Sequence, residues 1–170
     1  MATILRAPNH LTAKEKKVTP TLYLAGPFDD DEVDGPSWRD QIIEACDDLE
    51  ITIVDPRNER WASLEKGSPG RRGAYEWQCH HAYDADVVVV WIPEGSLAPT
   101  ALLILGHLGA KRSNPKRCSS VVVGGGGWDG LVSVYAQNHR FFALDDLTDV
   151  ARIARLQVEE AIVAKAASSA

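Results

Sequence analysis

The six residues Val87-Val88-Val89-Val90-Trp91-Ile92 are apolar at every position. A strand with one wet face alternates apolar and polar side chains, so an unbroken run describes a strand covered on both faces. Such strands sit inside parallel sheets flanked by helices, and this one is expected at the centre. Four further β-rich runs alternate with helical patterns: Thr21–Gly26, Ile51–Val54, Ser119–Val123 and a weaker Phe141–Leu144. Together they predict a single-domain α/β fold, a Rossmann-like or flavodoxin-like open sheet of about five parallel strands flanked by helices.

The helical patterns have their own punctuation. Ser37 followed by Asp40 makes a capping-box-like start, after which Trp38, Ile42, Ile43, Cys46 and Leu49 recur at helical spacing. A second helix is expected over about Tyr75 to Tyr83, and a third over about Thr100 to Ala110, with Pro99 at its first turn. A closing helix starts near Leu147 and keeps Val150, Ala154, Val158 and Ile162 on one face. Residues 1–19 carry Lys14-Glu15-Lys16-Lys17 and no apolar period, so they read as a flexible arm ahead of a domain over 20–167.

Charge narrows the partner. Eighteen Lys and Arg against 24 Asp and Glu leave a net charge of −6, without the broad positive field that nucleic-acid backbones need. The basic pairs Lys111-Arg112 and Lys116-Arg117 read as a solvated turn at a helix end. No apolar run is long enough to span a bilayer, and the first residues lack the apolar core of a secretory signal. Cys46, Cys79 and Cys118 form neither a disulfide framework nor a metal pair, which points to a reducing, cytoplasmic setting. The expected partner is a small molecule, with neither nucleic acid nor membrane.

In open parallel sheets ligands bind beyond the carboxyl ends of the strands, and the chemistry-bearing residues fall there. After the first strand come Gly26, which lets a ligand approach the backbone, and Phe28, able to stack on a flat ring. The acidic stretch 29–34 reads as a solvated loop. After the second strand, Asp55 and Arg57 suit hydroxyls or a phosphate, or else form a salt-bridged turn. The stretch from Trp61 through Gly67, Pro69 and Gly70 to Gly73 reads as a lid over a pocket. Gly124 to Gly130 looks like a phosphate-cradling loop or a flexible turn, without the Lys and Ser/Thr of a P-loop. His80, His81 and Cys79 share one helix, but adjacent residues there diverge, and no metal or cofactor is expected; His107 reads as a polar helix-surface residue or an acid-base group.

Five segments, in this order and spacing, resemble the nucleoside 2-deoxyribosyltransferase superfamily, including its nucleotide N-glycosidases. They are Leu22-Tyr23-Leu24-Ala25-Gly26-Pro27-Phe28, Asp55-Pro56-Arg57, Tyr75-Glu76-Trp77-Gln78, Ala85-Asp86-Val87-Val88-Val89-Val90-Trp91 and Pro99-Thr100-Ala101-Leu102-Leu103-Ile104-Leu105-Gly106. The resemblance covers roughly residues 21–150. It implies a nucleoside or nucleotide ligand and a double displacement, in which a Glu carboxylate attacks the anomeric carbon and a second base or water then takes the sugar. It also implies a homodimer or higher homo-oligomer, with Trp128 and Asp129 near a subunit contact that completes the neighbouring pocket.

The position matching the family's Glu is Ile104, and the position where relatives often carry a second acid is Gln78. An isoleucine can neither attack carbon nor carry a proton. Glu94, directly after the central strand, is the first substitute carboxylate and Asp55 the second, whereas Asp86 lies at the strand's start. The expected ligand-binding set is Tyr23, Gly26, Phe28, Asp55, Arg57, Gln78, Ser96, Trp128 and Asp129. Three readings follow: an N-glycosidic bond enzyme of deoxyribosyl transfer or hydrolysis, a catalytically silent nucleoside-binding relative, and a protein-interaction module.

Overall fold

The computed structural model describes residues 1–27, 37–65, 67–111, 119–127 and 130–169. Along them run β1 (Thr3–Arg6), α1 (Ala13–Val18), β2 (Thr21–Ala25), α2 (Trp38–Cys46), β3 (Thr52–Asp55), α3 (Glu59–Ala62), α4 (Pro69–Asp84), β4 (Val87–Trp91), α5 (Pro99–Lys111), β5 (Ser120–Gly124), α6 (Leu131–Asn138), β6 (Phe142–Leu144) and α7 (Leu147–Ser169). The strands form one sheet, all parallel, in the order β1-β3-β2-β4-β5-β6. Without β1 this is the flavodoxin-like doubly wound order, and β4 is central as its composition requires.

The two faces of β4 enter two separate cores. Val88, Val90 and Ile92 pack with residues of α4, α5 and α6, including Trp77, Ile104, Leu105, Leu108 and Ala136. Val87 and Val89 pack with Trp38, Ile42 and Cys46 of α2 and with Val150, Ala154 and Val158 of α7. Each of these buried aliphatic side chains contributes roughly 1.5–3 kcal/mol relative to exposure, so the run is the largest contiguous apolar investment in the sheet.

Two expectations need correction. Residues 1–19 are not an irregular arm, because Thr3 to Arg6 pair in register with Thr52 to Asp55 and extend the sheet by a sixth strand. This edge strand is mostly exposed, so backbone pairing rather than apolar periodicity holds it, and periodicity could not reveal it. The segment after it is anchored as well: Asn58 Nδ2 donates to the Ala7 carbonyl at 2.9 Å and Trp77 Nε1 to the Asn9 carbonyl at 2.9 Å. Thr12 and Glu15 then form a capping box that starts α1.

The expected lid is instead helix. Ser68 caps Arg71 N, Pro69 takes the first turn, and α4 begins six residues before Tyr75; Gly70 and Gly73 lie inside it. A further helix, α6, opens at Gly130 with positive φ, and the glycine-rich stretch before it conceals it from a sequence reading.

The amino-terminal segment meets α4 through a histidine pair. His10 stacks on His81 with ring centroids 5.1 Å apart, and His81 Nε2 lies 3.2 Å from His10 Nδ1. Burial holds the His81 imidazole well below its ordinary value, down to about 4, helped by His10, Lys16 and His80 and opposed by Asp84. The unfolded chain therefore binds a proton that the folded one refuses between pH 6.5 and 4. Stability is expected to be full above that window and to fall through it by at most about 3 kcal/mol, then level off. Urea denaturation across the range checks this, and His81→Phe should flatten the profile.

Candidate functional site

The connections leaving neighbouring strands β2 and β4 go to opposite faces, α2 to one side and α5 to the other, which is where open parallel sheets form a ligand crevice. Gly26 forms one lip. A Cβ there would stand 2.4 Å from the Trp38 ring and 2.8 Å from the Trp91 carbonyl oxygen, so only glycine lets the chain pass between them. The other lip is the turn from Pro93 to Ser96, closed by Ser96 N donating to the Pro93 carbonyl at 3.1 Å. Next in the chain, Ala98 is buried at a φ of 33°, a backbone strain held at the rim of the crevice.

The glycine run after β5 supports this rim. Ile92 N donates to the Gly124 carbonyl at 2.8 Å and Gly127 N donates back to the Ile92 carbonyl at 2.9 Å. Gly125 has a φ of 106°, and a Cβ there would lie 2.4 Å from the Ile92 oxygen. These glycines are needed for close approach to the end of β4, which replaces the flexible-turn reading with a packed one.

At the end of β3 sits a buried ion network. Asp55 and Arg39 are both 0% exposed, with Arg39 Nε 3.8 Å from Asp55 Oδ1. Arg57 Nε donates to Asp55 Oδ2 at 2.7 Å and Arg57 N to Asp55 Oδ1 at 3.0 Å, so both carboxylate oxygens are engaged. Arg57 Nη2 also donates to Asp40 Oδ1 at 2.8 Å, and this bond holds the Asp40 carboxyl below its ordinary range. Arg39 donates to the Pro27 carbonyl at 2.7 Å and the Gly26 carbonyl at 2.9 Å, fixing the lip of the crevice. Its guanidinium lies 4.2 Å from the Trp38 ring centroid.

Tyr23 and Gln78 are buried, in β2 and α4. The Tyr23 hydroxyl and the Trp38 indole N–H are buried without a hydrogen-bond partner among the described residues. Burial pushes the Tyr23 phenol well above its ordinary value, and Arg39, Asp55 and Cys79 are its electrostatic neighbours. Unsatisfied buried donors are costly, and these two lie in different cores, Tyr23 on the side of α4 and α5 and Trp38 on the side of α2 and α7.

Ile104 is 2% exposed and belongs to the core cluster that holds Tyr23 and Trp77. The gap it lines with Cys79, Tyr83 and His107 between α4 and α5 holds only about 10 Å³, the room of a single water. Glu94 stands exposed just past β4 and Ser96 is half-buried in the same turn. Asp86, at the opposite end of β4, accepts from Thr21 N at 2.8 Å and pairs with Lys165 at 2.8 Å. Phe28, the acidic stretch, Trp128, Asp129 and the basic turn at 112–118 lie outside the described residues. Among the described residues no group of three or more His, Cys, Asp or Glu is gathered to hold a metal, and no helix is long and apolar enough to cross a membrane.

Arg39 was missed by the sequence reading, although a charge next to Trp38 on the buried stripe of α2 was the available signal. The fold is that of a doubly wound α/β protein whose topology switches between β2 and β4. The chain belongs to the nucleoside 2-deoxyribosyltransferase-like family, whose model matches residues 19–119. That stretch runs from the start of β2 to the residue before β5 and includes Tyr23, Asp55, Gln78, Glu94 and Ile104. Among curated proteins none matches the chain.

Tyr23→Phe is expected to leave stability unchanged or to raise it by up to about 1 kcal/mol, because it removes an unsatisfied buried hydroxyl. In the same variant the thermal shift given by deoxynucleosides should shrink. A stability loss instead means that the hydroxyl already has a protein partner.

Proposed function

We propose that this chain binds a nucleoside or nucleotide in the crevice at the ends of β2 and β4, and that it does so without the family's sugar-transfer chemistry. The observation that carries this reading is Ile104, closed into the α4–α5 packing where the resemblance places the attacking Glu. The binding side rests on the family assignment and on the unsatisfied hydroxyl of Tyr23. Gly26, Gln78 and Ser96 are the proposed further contacts, with Asp55 and Arg57 shaping the lip from behind, and with Phe28, Trp128 and Asp129 completing the set.

A second reading, N-glycosidic bond cleavage, is favoured by the exposed carboxylate of Glu94 just past the central strand. There the carboxylate would attack the anomeric carbon or activate water, and the base would leave. Incubation of the protein with deoxynucleosides, ribonucleosides and their monophosphates, followed by chromatography for free base, separates the two. We expect ligand-induced stabilisation without base release from the parent protein. Base release that disappears in Glu94→Ala would overturn the silent reading in favour of the enzyme. No thermal shift with any of these ligands would remove both and leave the interaction module.

We further propose a homo-oligomer. Leu103 on α5 is 57% exposed, Leu131 and Val134 on α6 are 65% and 55% exposed, and Tyr135 OH donates to the Gly106 carbonyl between the two helices. Such an apolar surface is suited to cover by a second copy. Light scattering should return a multiple of the monomer mass, and a monomer would remove the proposal.

A further inference from the structure

The outer flank of α4 carries a second concavity, unrelated to the crevice at the strand ends. It is a cleft of about 640 Å³ between α4, Trp61 of α3 and the segment that holds Pro8 and His10. That volume is in the range of small-molecule sites, roughly 300–1,000 Å³. Pro8 and His10 precede the family match, whereas Trp61 and the α4 residues of the cleft lie within it.

Its walls are aromatic and held in place. Trp61 stands against Trp77 at 71° with centroids 5.4 Å apart, and His10 stands against Trp77 at 61° and 6.2 Å. Trp77 is backed by His81 at 4.2 Å and its indole N–H is spent on the Asn9 carbonyl. These contacts fix the rings before any ligand arrives, which lowers the entropy cost of binding.

The helix side has been kept open. Gly73 lies inside α4, where glycine costs about 1 kcal/mol relative to alanine. A Cβ on Gly73 would meet nothing within 4 Å, so no packing in the protein accounts for the glycine. One turn on, the exposed Glu76 brings a carboxylate to the same cleft, a group that can only accept hydrogen bonds when ionised. Electron-rich ring faces beside an acceptor suit a flat ring with N–H donors on its edge.

We propose that this cleft is a second ligand site, which takes a planar heteroaromatic ring bearing an amino group, stacked on Trp61 and donating to Glu76. The cleft shares no lining residue with the α4–α5 gap at Cys79 and Ile104 or with the residues proposed for the strand-end crevice, so its ligand is a separate one.

Adenine and its deaminated counterpart hypoxanthine are the probes, titrated into full-length, nitrogen-15-labelled protein while the tryptophan indole N–H signals are followed, with Trp61 assigned through Trp61→Phe. Saturable movement of the Trp61 and Trp77 signals by adenine, with weaker binding of hypoxanthine, is the expected result. Gly73→Leu fills the cleft from the helix side and Trp61→Ala removes a wall from α3; each should weaken adenine by about tenfold or more. Glu76→Gln should erase the preference for adenine, and Tyr23→Phe should leave the cleft signals unchanged. Absence of saturation, movement of the Trp77 signal by adenine that survives both cleft variants, equal movement by hypoxanthine, or loss of the cleft response in Tyr23→Phe would overturn the proposal.

Discussion

A carboxylate and a guanidinium with no exposed surface meet at the end of β3, and much of the ligand side of the protein is tied to that meeting. Asp55 holds Arg57 and lies beside Arg39; Arg57 holds Asp40 on the first turn of α2; Arg39 holds the carbonyls of Gly26 and Pro27. Taking charges out of water is expensive, and removing one partner of such a pair typically costs about 3–5 kcal/mol because the other is left uncompensated. The network is a poor source of net stability but a good source of geometry. It fixes where β2 ends, where α2 begins and how the first lip of the crevice stands.

The second lip depends on close packing rather than charge. The ends of β4 and β5 approach so nearly that Gly125 leaves no room for a side chain, and the neighbouring Pro93 and Gly126 form an isolated antiparallel bridge. Tyr23 and Trp38 carry buried polar groups that the described residues do not satisfy, one in each of the two cores on opposite faces of the sheet. On the flank where the family's carboxylate would stand, the chain has instead extended its apolar core: Ile104 joins Leu105 and Leu108 beneath α4.

Several of these features could be read from the residues alone. The valine run announced a strand covered on both faces, and it is the central one. Ser37 announced the start of α2 and does cap it. The candidate residues at strand ends were found because the ligand side of a parallel sheet follows from strand direction. The start of α4 was hidden because Pro69, Gly70 and Gly73 resemble loop residues, although a serine cap followed by proline is a good helix opening. Arg39 was hidden because a charged residue beside a helix cap usually faces water.

By itself the sequence determined five of the six strands, the four main helices and which strand is buried on both faces. Those properties are local, since the periodicity of apolar side chains records burial within a few residues. Only the tertiary structure decided that residues 3–6 complete the sheet, that Asp55 is enclosed among Arg6, Arg39 and Arg57, and that Ile104 lies in closed packing. Each of these depends on atoms brought together from distant parts of the chain, and distance along a sequence carries no record of which partner will arrive.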